Sequence, residues 1–178
     1  MNAASLWIEN TTSKHDHGGA GWEFGSCIWS PAHDRRGAEG KYRIMRSVRE
    51  SDRVINCNDG VFCGLSTVAT ECKTLQEGPP NPGPWAFAKQ FYRIDLRDYR
   101  ELPNPVSIAA LTERYTEEIK SDIKLHRPKY FLFALYPESE FHPTGKIVLA
   151  QGRFLARATP KLGSLLAKLL DLDESDFG

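Results

Sequence analysis

The run Asp52-Arg53-Val54-Ile55-Asn56-Cys57-Asn58-Asp59-Gly60-Val61-Phe62-Cys63-Gly64-Leu65-Ser66-Thr67-Val68-Ala69 decides the fold class. Two stretches with the composition of strands flank Asn58-Asp59-Gly60, a turn-forming triplet, and predict an antiparallel hairpin. Gly64 lies inside the second stretch and predicts a bulge or a close backbone approach. Toward the N-terminus, Ser5-Leu6-Trp7-Ile8-Glu9 predicts a strand, followed by a polar, glycine-rich loop from Asn10 to Gly21. A further strand, Gly25-Ser26-Cys27-Ile28-Trp29, should stop at Ser30-Pro31. The stretch from Gly37 to Val48 is basic, with Lys41, Arg43 and Arg46 set around Tyr42, Ile44 and Met45 at a spacing closer to a short helix than to a strand.

Beyond the hairpin, Gly78-Pro79-Pro80-Asn81-Pro82-Gly83-Pro84 cannot be regular structure, because its prolines remove backbone donors. It delivers Trp85 to a strand running from Phe87 to Leu96. Ile108, Leu111, Tyr115 and Ile119 then recur at three- and four-residue spacing, which predicts an amphipathic helix from Ser107 to Lys120. Tyr130 to Tyr136 and Lys146 to Leu155 read as two strands. Thr159 as N-cap and Pro160 at the first helical position open a closing helix with Leu162, Leu165, Leu166, Leu169 and Leu170 on one face. Strands that seldom alternate with long helices predict an α+β fold built on a strongly curved mixed β-barrel, with helices packed outside and a C-terminal strand pair and helix.

The chain of 178 residues suits one domain, with a core over 5–107, an extension over 108–172 and an acidic linker stub over 173–178. Hydrophobic residues make up 40%, enough for a packed interior, and 23 basic side chains cancel 23 acidic ones, so attraction to nucleic acid would need a local basic patch. The longest apolar stretches fall far short of the roughly 20 residues that span a bilayer. The N-terminus lacks the pattern of a secretory signal, so a cytoplasmic protein with reduced thiols and no membrane partner is expected. Cys27, Cys57, Cys63 and Cys72 are separated by 29, 5 and 8 residues, which matches no zinc-site spacing. Cys63 and Cys72 read as small buried hydrophobes.

Two places could carry chemistry. His15-Asp16-His17 could supply a metal fragment or a general base for a small hydrolase or nuclease, for which a loop would have to make the side chains converge. His33, His126 and His142 have no partner at a recognisable spacing, and no phosphate-cradling glycine motif follows a strand. Trp29, followed at once by Ser30-Pro31, and Trp85, delivered by the proline-rich loop, both stand at strand edges beside polar segments. Two indoles so placed can hold a planar base, at roughly 1 to 3 kcal/mol of stacking each. Composition alone favours core filling for each, since Trp is highly buried on average.

The succession Trp29-Ser30, a basic stretch with Met45, Ser51-Asp52-Arg53-Val54, a strand ending in Phe62-Cys63-Gly64, a long loop, Trp85, the aromatic strand Phe91-Tyr92-Arg93-Ile94-Asp95-Leu96-Arg97 and Leu102-Pro103 resembles the EVE and YTH group of the PUA superfamily. It spans roughly Ser5 to Ser107. Serine stands at position 51 where that group usually has glycine. The resemblance implies a twisted barrel with helices outside and a reader of modified bases without catalysis of its own. Trp29 and Trp85 match the cage tryptophans, and Ser30 the residue that contacts the base. The loop after the first strand offers Asn10, Ser13, Lys14 and His15.

The reading that follows is a base-flipping module that takes 5-methylcytosine or 5-hydroxymethylcytosine in double-stranded DNA into an aromatic cage and gives a modification-dependent restriction system its specificity. Trp29, Ser30, Trp85, Asn10 and Ser13 would form the pocket. Lys14, His15, Arg35, Arg36, Lys41, Arg43 and Arg46 would hold the backbone, unless those charges are simply a solvated face. A C-terminal nuclease or NTPase domain would act as effector. No cofactor and no metal are expected. The alternatives are a methyladenine reader, a PUA-like RNA-binding module, and the hydrolase built on His15, Asp16 and His17.

Overall fold

The computed structural model describes residues 4–126, 131–136, 140 and 145–173. In chain order they form strands β1 (Leu6–Thr11), β2 (Cys27–Pro31), β3 (Arg53–Asn58), β4 (Val61–Val68), β5 (Lys73–Leu75) and β6 (Phe91–Ser107). Helices α1 (Ile108–Arg114) and α2 (Thr116–His126) follow, then β7 (Phe133–Tyr136), β8 (Lys146–Leu149), β9 (Leu155–Arg157) and α3 (Pro160–Leu170). Short 3-10 turns cover Lys14–Gly18, Gly40–Ser47 and Gly83–Trp85.

The predicted hairpin is β3 and β4, turned on Asp59 and Gly60, whose φ values of 48° and 78° are the left-handed conformations a two-residue hairpin loop requires. Gly64 is the predicted irregularity. Asn56 pairs with Gly64 and Cys57 with Phe62, so Cys63 is an extra residue, and the pairing of β4 with β6 shifts at the same place. A side chain on Gly64 would also collide with the ring of Tyr99, 2.4 Å from the added carbon.

The main sheet runs β2-β6-β4-β3-β1-β9, with β5 also on β6. β1 and β3 are parallel and the remaining pairs antiparallel. β6 curls it. Its first residues, Phe91 to Asp95, pair with β2, its later ones, Leu96 to Ser107, with β4, and the two register shifts on β4 supply the bend. The result is a curled mixed half-barrel with helices against it. One apolar core lies under α1, α2 and α3, joining Ile8, Ile55 and Phe62 to Leu111, Leu162 and Leu166. A second, around Trp7, Ile28, Met45, Tyr92 and Ile94, fills the other end.

Several boundaries differ from expectation. β2 runs through Ser30 to Pro31, where proline is tolerated because the strand ends there. The strand expected over Phe87–Leu96 starts at Phe91 and reaches Ser107. Pro103 and Pro105 fall where the ladder skips from Glu101 to Val106, so neither has to donate. The single helix expected over Ser107–Lys120 is two, parted at Tyr115, whose φ of −125° leaves the helical region. The expected strand Lys146–Leu155 is divided as well: β8 pairs with β7, while β9 joins the main sheet on β1. Cys63 and Cys72 are half-buried, and the fully buried thiols are Cys27 and Cys57. Thr159 caps α3 as expected, accepting the Leu162 N–H at 3.1 Å.

Candidate nucleic-acid interface

Trp29 is carried by β2, opposite Arg93 of β6. Strand alternation puts its neighbours Ile28 and Ser30 on the other face, and both are fully buried. Trp29 is left half-buried at the outer side, where its indole N–H donates to the His17 carbonyl at 2.8 Å. Gly18 makes that approach workable: its φ is +115°, and an added carbon there would lie 3.1 Å from the Trp29 ring. The Asn81 N–H then donates to the Gly18 carbonyl at 2.8 Å, so the glycine-rich and proline-rich loops lock together beside the indole.

The proline-rich loop ends in the turn that presents Trp85. Pro84 fixes its backbone, and Trp85 meets Trp29 with ring centroids 5.1 Å apart and planes at 90°. The pair belongs to a continuous aromatic cluster. Trp22 and Phe91 back Trp29 at 5.9 and 6.1 Å, while Tyr42 and Phe154 flank Trp85 at 6.1 and 6.2 Å. Perpendicular rings in contact leave no slot between them for a stacked base, unlike the two-sided cage expected of Trp29 and Trp85.

Trp85 also borders an open cleft of about 420 Å³ lined by Asp34, Arg35, Arg36, Lys41, Tyr42, Pro84, Trp85 and Phe87. The Arg35 guanidinium lies 5.2 Å over the Phe87 ring, and the Lys41 ammonium 5.4 Å from the Tyr42 ring centre. Planar apolar surface and fixed positive charge thus share one concavity, the combination used to hold a base and its phosphate.

The other sequence-predicted residues are placed less centrally. The Ser30 hydroxyl is buried on the opposite face from Trp29 and donates to the Pro31 carbonyl at 3.1 Å, so a base beside Trp29 would meet the Ser30 backbone. The Asn10 amide donates to the Arg153 carbonyl at 3.3 Å and steadies the segment carrying Phe154. Ser13 is exposed and bound through its N–H to the Asp59 carboxylate at 3.2 Å, and Lys14 is exposed beside it. Arg46 is engaged by Glu39 at 2.9 Å and by the Tyr92 hydroxyl at 2.8 Å, and Arg43 lies 4.0 Å from Glu39. Of the predicted backbone contacts, Arg35, Arg36 and Lys41 therefore share the cleft.

His15-Asp16-His17 forms the turn that offers its carbonyl to Trp29. The His17 ring packs on Phe24 at 5.0 Å, and the His15 side chain lies outside the described part of the structure. Among the described residues no group of three His, Cys, Asp or Glu side chains could hold a metal. Burial pushes the Cys57 thiol up to about 12 and Cys27 to about 11, which leaves both protonated and unreactive at neutral pH. No helix among the described residues is long and apolar enough to cross a membrane.

Asp34, Tyr42, Phe87, Trp22 and Phe154 are the site residues the sequence did not disclose.

No protein-family model and no curated protein matches the chain. Among solved structures, a Rhodopseudomonas palustris protein determined by NMR is 12% identical over 94% of each chain, with a TM-score of 0.45. The N-terminal domain of Staphylothermus marinus McrB is 15% identical over 94% of this chain and 95% of that one, with a TM-score of 0.48. Human THYN1, solved in complex with DNA containing 5-methylcytosine, is 10% identical over 96% of this chain and 99% of its own, with a TM-score of 0.54. At that identity the likeness is one of fold: the curled mixed half-barrel with helices against it is shared with THYN1.

Proposed function

We propose that this chain is a non-catalytic reader of modified bases in double-stranded DNA, which extrudes 5-methylcytosine or 5-hydroxymethylcytosine into the aromatic cluster at Trp29 and Trp85. The observation that carries the reading is the convergence of Trp85, Tyr42 and Phe87 with Arg35, Arg36 and Lys41 in one open cleft. The fold shared with THYN1, whose structure contains 5-methylcytosine DNA, supports it. Extrusion costs a few kcal/mol, and stacking on an indole offsets much of that. In a restriction system such a module would supply the specificity and a separate nuclease or NTPase domain the cleavage.

The test is a binding titration at one stated salt concentration over duplexes that are unmodified or carry 5-methylcytosine, 5-hydroxymethylcytosine or methyladenine at one position, with the matching RNA alongside. Tighter binding to a modified-cytosine duplex is expected. Equal affinity for modified and unmodified duplexes contradicts the reading, and preference for RNA would redirect it, since the 2′-hydroxyl is what separates the two polymers. Changing His15 and His17 to alanine together separates the hydrolase alternative, which requires those rings for cleavage.

A further inference from the structure

Among the described residues, Asp34 is the one acidic side chain in a cleft otherwise lined by cations and rings. Its Oδ1 accepts the backbone N–H groups of Arg36 at 2.8 Å and Ala38 at 2.9 Å, while the Gly37 N–H and the Ala38 carbonyl close the same turn on the Asp34 backbone. The carboxylate is thereby fixed in place. Among the described residues no hydrogen bond falls on Oδ2, so the turn holds the group while leaving one oxygen for a ligand. The Ala38 N–H, with Arg36 adding to it, holds this carboxyl below the usual carboxylate range, and at neutral pH it can only accept.

A site built solely for phosphate would exclude an ionised carboxylate, which repels it. A base is different. The ordinary partner of Asp on a base edge is an exocyclic amine, as on cytosine N4. The cleft also has the room, since about 420 Å³ lies within the range of roughly 300–1,000 Å³ typical of small-ligand sites. Trp85 lines this cleft, and its perpendicular contact with Trp29 at 5.1 Å closes the space between the two indoles, so a base would reach Trp85 from the cleft. Asp34 and Tyr42 line the same cleft.

We propose that the extruded base lies in this cleft against Trp85, and that Asp34 accepts a hydrogen bond from its exocyclic amine, selecting 5-methylcytosine against thymine. On that edge thymine carries a carbonyl at C4 and a proton on N3, where 5-methylcytosine carries the amine and a bare N3, so a carboxylate placed at the C4 substituent meets a donor on 5-methylcytosine and an acceptor on thymine. The proposal rests on the base-reader function above and adds to it the edge that is read. Arg35, Arg36 and Lys41, at the rim, take the flanking phosphates.

The experiment uses the chain as it stands, with the Asp34→Asn and Trp85→Ala variants, and measures affinity for three duplexes alike except at one position opposite an abasic site. That position holds 5-methylcytosine, thymine or a second abasic residue. The parent should prefer 5-methylcytosine over thymine by about tenfold or more, the size of one well-made base contact. Asparagine keeps an oxygen for the Arg36 and Ala38 N–H groups but turns an amide donor toward the base, so Asp34→Asn should bring the ratio to parity or invert it with thermal stability unchanged. Trp85→Ala should weaken both bases alike. If Trp85→Ala weakens binding while Asp34→Asn keeps the parent's ratio, the Asp34 assignment is overturned and the reader function stands. An equal loss for both bases in Asp34→Asn, accompanied by a lower melting temperature, also overturns it, in favour of a loop-holding role. If the parent binds neither base better than the doubly abasic duplex, the reader function fails and takes the assignment with it.

Discussion

Trp29 and Trp85 touch each other but answer to different neighbours. Trp29 gives its N–H to the glycine-rich loop and is backed by Trp22 and Phe91, so Trp29→Ala should lower stability by about 2 to 3 kcal/mol, below the usual 3 to 5 for a fully buried ring because it is half-exposed. Urea denaturation measures that directly. A second residue of interest lies inside the barrel. Glu9 is 7% exposed, accepts the Asn56 amide at 2.8 Å, and burial pushes its pKa from 4.5 up to about 7. The folded state therefore holds a proton that the unfolded chain has released between pH 4.5 and 7. Across that window stability should fall as pH rises, with a total on the order of 3 kcal/mol lost above pH 7. Glu9→Gln keeps an acceptor for Asn56 and carries no charge. Unfolding curves at pH 5 and pH 8 should therefore converge for the variant and differ for the parent; an unchanged pH dependence in Glu9→Gln would remove Glu9 as its source.

At the scale of elements, the bulge on β4 and the ring of Tyr99 form a matched pair. Gly64 and Gly25 both face that ring, at 2.4 and 2.5 Å from their added carbons. Gly64→Ala should cost about 1 to 3 kcal/mol through overpacking, and most of that penalty should disappear in a Tyr99→Ala background. A double-mutant cycle gives the coupling; additive effects would mean that the glycine is needed for its backbone alone. The hairpin and its bulge were legible because Asp59-Gly60 and Gly64 mark themselves by residue type. α3 was legible for the same reason, through Thr159, Pro160 and its leucine spacing. The second half of β6 was not: Arg97 to Glu101 is polar, and Pro103 and Pro105 argue against a strand, yet the ladder steps around them. Nor did anything local mark the break at Tyr115, or β9 as a separate strand, because its partner β1 lies almost 150 residues earlier in the chain.

At the scale of the whole molecule, net charge is zero, so the proposed attraction to DNA would have to come from a local group of cations such as that of the cleft. With Arg35, Arg36 and Lys41 at its rim, about three phosphates should be neutralised, and log affinity should fall against log salt with a slope of about −3. A slope near −10 would mean a far larger basic footprint. The site itself was legible in part. The tryptophans and the basic stretch stand out by residue type, whereas Tyr42, Phe87 and Phe154 look like core until three distant segments converge. Asp34 looks like an ordinary turn residue. The central claim is that Trp85 stacks on an extruded modified base, and the most direct test measures thermal stability and DNA affinity on one sample of Trp85→Ala. A melting temperature close to the parent's with roughly 1 to 3 kcal/mol less binding to modified duplex, and the preference over unmodified duplex lost, is the predicted result. A well-folded Trp85→Ala that still prefers modified duplex as strongly as the parent would contradict it.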